Sequence, residues 1–284
     1  MDQYYVHISM KEKLVKALRP VYHKYPLLRP FMAFFHRKFF IQTKFSGYGM
    51  RTVHELPWND EHDWDVFRKA SIDVKNFEFS KDAAQIDLNN VDELMWRHWI
   101  ISYCVRHAIK LADTSEYNFV ECGVGDGVSA FFALREILGQ KNVIKKFSMH
   151  LYDSWMVMRT EGLLENEIPH VGKYAQLSIE KTRRNLAEFN EYVIYHQGYI
   201  PESLRTPPDS PDSIVYLLVD LNSAKPTIAT LEFFLPRLVK GGVILFDDYG
   251  WKGYEDTKRA VDAFLKNKPG ILMKLPTGQA IYYR

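Results

Sequence analysis

The chain has 284 residues, 46% of them hydrophobic and 25% charged, which is typical of a globular protein and excludes a low-complexity polymer. The net charge is only +2, and no run of about 18 apolar residues occurs, which argues against a membrane-spanning helix. The two cysteines, Cys104 and Cys122, form no Cys-x-x-Cys pair, so neither a disulfide framework nor a thiolate zinc site is expected. Acidic Asp2 and the lack of an apolar signal core predict a cytoplasmic protein.

Residues 1–89 are predicted to form a basic, aromatic N-terminal arm and a connecting segment. No acidic residue occurs between Glu12 and Glu55, whereas lysines and arginines alternate with aromatic residues, and prolines interrupt the helical pattern. Such an arm suits contact with an anionic surface, such as lipid headgroups or a phosphorylated substrate. It equally suits packing on its own domain or on a second subunit. No nucleic-acid recognition motif accompanies it, so no nucleic-acid partner is expected.

Residues 90–284 alternate helical and extended patterns, which predicts an α/β fold: a Rossmann-like, doubly wound, mostly parallel sheet. After a first helix from about residue 90, the predicted elements are a strand at 118–122, a helix at 129–138, a strand at 147–152, a helix at 177–189, strands at 192–196 and 214–219, a helix at 226–238, a strand at 243–246, a helix at 255–267, and strands at 271–275 and 279–283. Ligands of such sheets bind beyond the carboxyl ends of the strands. Acidic residues fall at these ends, namely Glu121, Asp153, Asp220, Asp247 and Asp248.

A glycine-rich turn follows the first of these strands, with Gly123, Gly125 and Gly127 in a G-x-G-x-G spacing. Dinucleotide-binding proteins use G-x-G-x-x-G instead. Glu121, two residues before the first glycine, suits the cationic end of S-adenosylmethionine but would repel a pyrophosphate. Asp153, at the end of the next strand, can accept hydrogen bonds from both ribose hydroxyls. The pattern therefore favours S-adenosylmethionine over a nicotinamide cofactor.

Asp220 closes one predicted strand, and Asp247 and Asp248 close the next. Three carboxylates in one place repel one another, so they require a cation or raised pKa values. Oxygen-rich clusters suit Mg²⁺, which can polarise a substrate hydroxyl and lower its pKa. The alternative is that Asp248 caps a helix or turn while Asp247 pairs with a lysine or arginine.

Several motifs resemble those of the macrocin, mycinamicin and novobiocin type O-methyltransferases, which are metal-dependent enzymes that methylate sugar hydroxyls of natural products. The resemblance covers roughly residues 90–284. Four motifs carry it: an E-x-G-V-like turn, a D-S-F-like stretch, the segment after the third strand, and a long match in two parts around and after the double aspartate. In chain order they are Val120–Val124, Tyr152–Trp155, Gly198–Leu204, and Gly241–Tyr249 with Lys258–Phe264.

The resemblance implies a class I, S-adenosylmethionine-dependent and Mg²⁺-assisted O-methyltransferase acting on a sugar, a related polyhydroxylated molecule or a glycoconjugate. It implies Mg²⁺ ligation by Asp220, Asp247 and Asp248, of which Asp220 and Asp248 also count as catalytic. The residues that it places around the cofactor are Glu121, Gly123, Gly125, Ser129, Asp153, Ser154 and Gly198. Self-association is common in that family, which favours a homo-oligomer.

One departure from the family concerns the general base. The family carries D-G-D after the strand that precedes the double aspartate, whereas this chain reads Asp220-Leu221-Asn222. An amide cannot accept a proton at neutral pH. Either another base acts, with His170 and His196 as candidates, or a metal-bound acceptor needs only water. The remaining alternatives are a non-catalytic or weakly active cofactor-binding protein and, more distantly, a nicotinamide-dependent oxidoreductase.

Residues 156–176, named the lid below, are polar and contain Gly162, Pro169 and Gly172. Their length and composition predict a mobile segment that covers the site and excludes water.

Overall fold

The computed structural model describes residues 62–79, 95–140 and 142–284. The predicted basic arm and the helix start at about residue 90 lie outside these residues. The described helices are α1 (His62–Asp73), α2 (Met95–Leu111), α3 (Val128–Gly139), α4 (Ile179–Asn185), α5 (Ala224–Phe234) and α6 (Glu255–Leu265). The strands are β1 (Tyr117–Cys122), β2 (Phe147–Asp153), β3 (Val193–Gln197), β4 (Ile214–Val219), β5 (Leu238–Phe246), β6 (Ile271–Lys274) and β7 (Ala280–Tyr283). None of the described helices is long and apolar enough to cross a bilayer.

The seven strands form one sheet in the order β3-β2-β1-β4-β5-β7-β6. Strands β1 to β5 are parallel, whereas β7 runs antiparallel to both of its neighbours. The strand order reverses between β1 and β4, and at such a reversal the ends of the strands leave a crevice for ligands. The predicted doubly wound sheet is confirmed, and the edge of the sheet formed by β7 and β6 is antiparallel.

The core lies on both faces of the sheet, as expected for parallel strands covered by helices. Every residue of β4 is buried, and hydrophobic clusters fill both sides of the sheet. Helix α1 belongs to this core, because the Phe67 ring lies 5.4 Å from that of Phe132 in α3 and 5.1 Å from that of Trp99 in α2. The described part of the predicted connecting segment is therefore packed into the same core as the sheet.

Strand β5 begins at Leu238, earlier than the predicted start at Val243. The glycine pair inside it looks like a turn in the sequence. In the structure Gly241 has φ +78° and its amide donates to the carbonyl of Arg284 at 2.9 Å, so the strand continues through an irregular register. A Cβ atom at Gly241 would lie 1.9 Å from the carbonyl oxygen of Leu111. Glycine therefore serves close backbone packing here.

Candidate functional site

The glycine turn after β1 brings the backbone of two strand ends into direct contact. Gly123 has φ +90°, and a Cβ atom on it would lie 1.8 Å from the carbonyl oxygen of Asp220. Its amide donates to the carbonyl of Tyr152 at 2.8 Å, which ties the turn to β2 as well. Only glycine fits such a position. The turn thus closes directly over the crevice at the strand-order reversal.

Glu121 lies in β1 beneath this turn and is completely buried. Its Oε1 accepts a 2.5 Å hydrogen bond from the Ser129 hydroxyl, whereas Oε2 has no partner among the described residues. Burial raises the pKa of this carboxyl to about 8, although Ser129 and the Arg97 guanidinium act in the opposite direction. A buried carboxyl group with an unpartnered oxygen suits a cationic ligand.

Asp153, at the end of β2, holds the glycine turn in place. Its Oδ2 accepts the amides of Val124 at 2.7 Å and Gly125 at 2.9 Å, and its Oδ1 accepts the amide of Trp155 at 2.7 Å. Burial raises the pKa of Asp153, and these backbone donors partly offset the effect. The two amides use both lone-pair sites of Oδ2, so an additional hydroxyl donor would have to approach Oδ1. No sequence pattern indicated these hydrogen bonds from the backbone.

Two further predicted cofactor residues lie beside Asp153. The amide of Gly198, at φ +146°, donates to the carbonyl of Asp153 at 2.9 Å. Ser154 follows Asp153 directly, and its hydroxyl accepts the amide of Met156 at 3.2 Å. A residue that the sequence analysis missed, Thr182 of α4, donates from its hydroxyl to the carbonyl of Gly125 at 2.7 Å. The glycine turn is therefore held from two sides.

Asp220, Asp247 and Asp248 converge at the ends of the neighbouring strands β4 and β5. Each offers a carboxylate oxygen, and the three oxygens lie within 4.8 Å of one another. Burial and the neighbouring carboxylates raise the pKa of Asp220 well above its usual value and that of Asp248 to about 7. Asp220 and Asp248 also share a hydrogen bond. The predicted spatial cluster therefore exists.

Arg97 of α2, which the sequence analysis missed, is buried against this cluster. Its Nη2 donates to Asp220 Oδ2 and its Nε to Asp247 Oδ1, both at 2.7 Å. Gln279 Nε2 donates to the same Asp247 oxygen at 2.9 Å. Arg97 lies near the N-terminus of a long apolar helix, where the helix dipole disfavours a cation. That unfavourable position was the available signal for a buried anionic partner.

Both structural roles considered for the aspartates are present, since Asp247 pairs with Arg97 and Asp248 Oδ2 accepts the amide of Asn222 at 3.0 Å. These hydrogen bonds do not occupy all of the carboxylate oxygens of the cluster. Both donors to Asp247 reach Oδ1, which leaves Oδ2 without a donor among the described residues. Three carboxylates and one guanidinium leave two negative charges when all are ionised. This donor set fits one divalent cation bound through oxygen.

Asn222 directly adjoins the cluster. It has φ +55°, and its Oδ1 accepts the hydroxyls of Tyr174 at 2.9 Å and Tyr254 at 2.7 Å. Tyr174 belongs to the lid, and Tyr254 immediately precedes α6. The residue at the family's base position is thus engaged with two phenols.

The two candidate histidines lie in different places. His196 in β3 is buried, stacks on Tyr152 at 4.0 Å between ring centroids, and shares a 2.9 Å hydrogen bond with His150. Burial lowers the pKa of His196 to about 4. Strand β3 is separated from β4 by two strands, which is about 14 Å at normal strand spacing. The structure thus places His196 as a packed group of β3, two strands away from β4 and Asp220, which disfavours it as the general base.

His170, in the lid, lies on the acidic side of the site. Its ring stacks on that of Tyr254 at 5.2 Å, and its Nδ1 lies 2.7 Å from Lys173 Nζ. Burial lowers the pKa of His170, and the charge of Lys173 adds to this effect. A neutral imidazole is a hydrogen-bond acceptor, so His170 remains the better placed of the two candidates.

The lid is anchored to the domain through a buried glutamate. Glu167 lies in a single 3₁₀ segment, Glu165–His170. Its Oε1 accepts the amide of Ala224 at the start of α5 at 2.7 Å, and its Oε2 accepts the amide of Leu164 at 2.9 Å. The lid therefore lies closed against the helix that follows Asp220.

Comparisons with known proteins agree with this architecture. Residues 120–249 match the family model described as a methyltransferase domain. Among solved structures, the O-methyltransferase NovP is similar with a TM-score of 0.58 and 21% identity, over 67% of this chain and 80% of that chain. CalS11, a calicheamicin methyltransferase, is similar with a TM-score of 0.52 and 16% identity, over 81% of this chain and 94% of that chain. No curated protein sequence matches the chain.

The sheet order, the glycine turn and the matched domain together define a class I methyltransferase fold. The chain is accordingly an S-adenosylmethionine-dependent methyltransferase, as its motifs predicted. The resemblance to the novobiocin type of enzyme is confirmed at the level of the fold. Mg²⁺, the carbohydrate acceptor, the homo-oligomer and the roles of individual site residues stay predictions.

Proposed function

We propose that this methyltransferase is a Mg²⁺-assisted O-methyltransferase that acts on a hydroxyl of a sugar, a related polyol or a glycoconjugate. The observation that carries the proposal is the convergence of three aspartate oxygens within 4.8 Å, beside the glycine turn. Two proteins of similar fold, described as an O-methyltransferase and a calicheamicin methyltransferase, support the choice.

The cofactor would lie along the glycine turn, where it supplies an electrophilic methyl group on a sulfonium. Glu121 Oε2, which is buried and unpartnered among the described residues, would accept its ammonium group. Asp153 would accept the ribose hydroxyls while it holds the turn. Gly123 and Gly125 permit the close backbone approach that a bulky ligand in this crevice needs. Gly198, Ser129 and Ser154 would line the remainder of the cofactor site.

The metal site would use Asp220, Asp247 and Asp248, and a bound Mg²⁺ would act as a Lewis acid toward an acceptor oxygen. Arg97 fixes Asp220 and Asp247 and removes one negative charge from the cluster. Gln279 fixes the same Asp247 oxygen. These neighbours preorganise the carboxylates, so that catalysis proceeds largely by positioning of the acceptor.

Deprotonation of the acceptor requires a group other than Asn222. His170 is the side chain of the lid that lies beside Tyr254 and hence beside Asn222. Its lowered pKa keeps it neutral, and its Nδ1, which lies 2.7 Å from Lys173 Nζ, would accept the proton once that contact opens. An acidic acceptor hydroxyl that transfers its proton to water is the alternative.

A second candidate is a protein that binds the cofactor without efficient catalysis. The observation that favours it is the full engagement of Asn222 Oδ1 by two tyrosine hydroxyls at the family's base position. It predicts cofactor binding that is indifferent to Mg²⁺ and no methyl transfer to any acceptor.

The decisive experiment is calorimetric titration with S-adenosylmethionine and S-adenosylhomocysteine, each with Mg²⁺ and with a chelator. Binding of both, followed by Mg²⁺-dependent methyl transfer to a panel of nucleotide sugars and glycosides, supports the enzyme. Binding without any turnover supports the second candidate. No binding under any condition overturns both.

A further inference from the structure

Asn222 links three separate segments of the chain beside the acidic cluster. Its backbone amide donates to Asp248 after β5, and its side-chain oxygen accepts from Tyr174 in the lid and from Tyr254 before α6. The two phenol hydroxyls therefore meet on a single acceptor atom. A change at this one side chain would remove both of these hydrogen bonds together.

The backbone at this contact is held in an uncommon conformation. Asn222 has φ +55° and Tyr174 has φ +68°, and a bulky aromatic residue rarely adopts the left-handed region. Asparagine tolerates that region better than most side chains. Such conformations persist where the surrounding structure fixes them, and they cluster at ligand clamps. The Tyr174–Asn222 contact is therefore a constrained feature of both segments.

Charge explains why an amide suits this position. Three carboxylates already lie within 4.8 Å of one another, and Asp248 accepts the amide of residue 222 itself. An aspartate at 222 would accept the same two hydroxyls but would add a fourth negative charge at close range. Asparagine provides an equivalent acceptor without that charge.

We propose that Asn222 is a positioning residue that holds the lid closed over the acceptor site. It does so by accepting the hydroxyl of Tyr174 in the lid on the same oxygen that accepts the hydroxyl of Tyr254. This inference rests on the methyltransferase function proposed above. The lid also meets the segment around α6 through stacking of His170 on Tyr254 and through an exposed hydrogen bond from Asn166 to Asp256 at 2.9 Å. The contact at Asn222 differs from these because it connects the lid to the backbone between β4 and α5, next to Asp220.

Hydrogen exchange of the lid amides, measured by mass spectrometry with and without saturating S-adenosylhomocysteine, tests the proposal. Loss of one neutral hydrogen bond changes an opening equilibrium by about fivefold, and loss of two independent bonds by about 25-fold. We therefore expect exchange of residues 156–176 to rise about fivefold in Tyr174→Phe and between about fivefold and about 25-fold in Asn222→Ala, since the Tyr254 bond restrains the lid only indirectly, through His170. The double variant should exceed Asn222→Ala by less than twofold, because the hydrogen bond between Tyr174 and Asn222 is already lost in Asn222→Ala.

Two variants separate positioning from general loosening. Asn222→Asp keeps an acceptor for both phenols, so its lid should open less than that of Asn222→Ala, although the added charge beside Asp248 keeps its exchange above the wild-type value. Asn166→Ala removes an exposed lid hydrogen bond and should change exchange by less than about twofold. If Asn222→Ala does not fold, Tyr174→Phe and Tyr254→Phe remove the same two bonds one at a time.

Unchanged lid exchange in folded Asn222→Ala, or strictly multiplicative effects of Asn222→Ala and Tyr174→Phe, would overturn the inference. Equal opening in Asn222→Asp and Asn222→Ala would overturn it as well. Failure of the proposed function gives a different result, namely no binding of S-adenosylhomocysteine by the wild type. The cofactor-free exchange measurement then still decides whether Asn222 holds the lid.

Discussion

The two halves of the crevice are built by different means. On the β1–β2 side the shape comes from backbone: positive-φ glycines, and amides that donate to Asp153. On the β4–β5 side it comes from side chains, with three carboxylates, a buried guanidinium and two phenols around an amide. Backbone geometry is readable from local sequence, whereas side-chain constellations depend on distant segments. The cofactor half is therefore the more predictable one.

Asp247→Ala should give the largest effect, because it should lower methyl transfer while leaving cofactor affinity nearly unchanged. Loss of one proposed metal ligand should lower methyl transfer by about 1,000-fold, since Lewis-acid stabilisation is worth several kcal/mol. Affinity for S-adenosylhomocysteine should change by less than about threefold, since Glu121 and the glycine turn are untouched. Asp212 is exposed, and Asp212→Ala is the control for both the turnover and the affinity measurement. Wild-type turnover in Asp247→Ala would remove the metal role.

Arg97→Met tests the packing of the acidic half. It leaves Asp220 and Asp247 buried without their cation, which should lower the free energy of unfolding by about 3–5 kcal/mol. Arg184→Met, which breaks the exposed pair with Glu78, should cost less than about 1 kcal/mol. Denaturant unfolding measures both. Equal costs for the two arginines would mean that the cluster is not held by Arg97.

Gly123→Ala tests the backbone-built half. The added Cβ would overlap the carbonyl oxygen of Asp220, so a loss of about 3 kcal/mol is expected together with loss of cofactor binding. Gly253→Ala, at φ +100° but with nothing within 4 Å of the new atom, is the matched control and should cost about 1 kcal/mol. Thermal unfolding and calorimetry report the two effects. A Gly123→Ala protein as stable as Gly253→Ala would contradict the close approach.

Glu121→Gln gives the most specific effect, a change in how stability depends on pH. Burial raises the pKa of Glu121 to about 8 in the folded protein, and its usual value of 4.5 applies to the unfolded chain. The folded state therefore holds an extra proton between these values, so Glu121 makes stability fall as pH rises through that window, by up to about 1.4 kcal/mol per pH unit. Above about pH 8 this dependence ends. Unfolding at several pH values should show the slope in the wild type and its loss in Glu121→Gln.

The same protonation makes a prediction for ligand binding. Because a cationic ligand group requires ionised Glu121, binding of S-adenosylhomocysteine at pH 7 should release a proton. Calorimetry in buffers of different ionisation enthalpy detects that proton. Glu121→Gln should release less, and an identical proton count in the two proteins would exclude Glu121 from the ammonium site.

Local patterns sufficed for the sheet, the glycine turn and the acidic strand ends, because each lies within a few residues of its own signal. Arg97 was missed because its partners lie more than a hundred residues away in the sequence. The early start of β5 was missed because a Gly-Gly pair indicates a turn unless one knows that the Leu111 backbone packs on it. The stacking of His196 on Tyr152 likewise depends on distant segments and could not be predicted from the local sequence. Asn222 was recognised as unusual, but its phenol partners could not be foreseen.

The hydrogen bonds from the glycine turn to Asp153 have a consequence for the rate and cost of ligand capture. Both partners of each bond belong to the chain itself, so the bonds can order the loop before a ligand arrives. Its conformational entropy is lost during folding, and binding does not have to order it again. The cofactor should therefore bind to a glycine turn that is already rigid, and any slow step of association should be a movement of the lid.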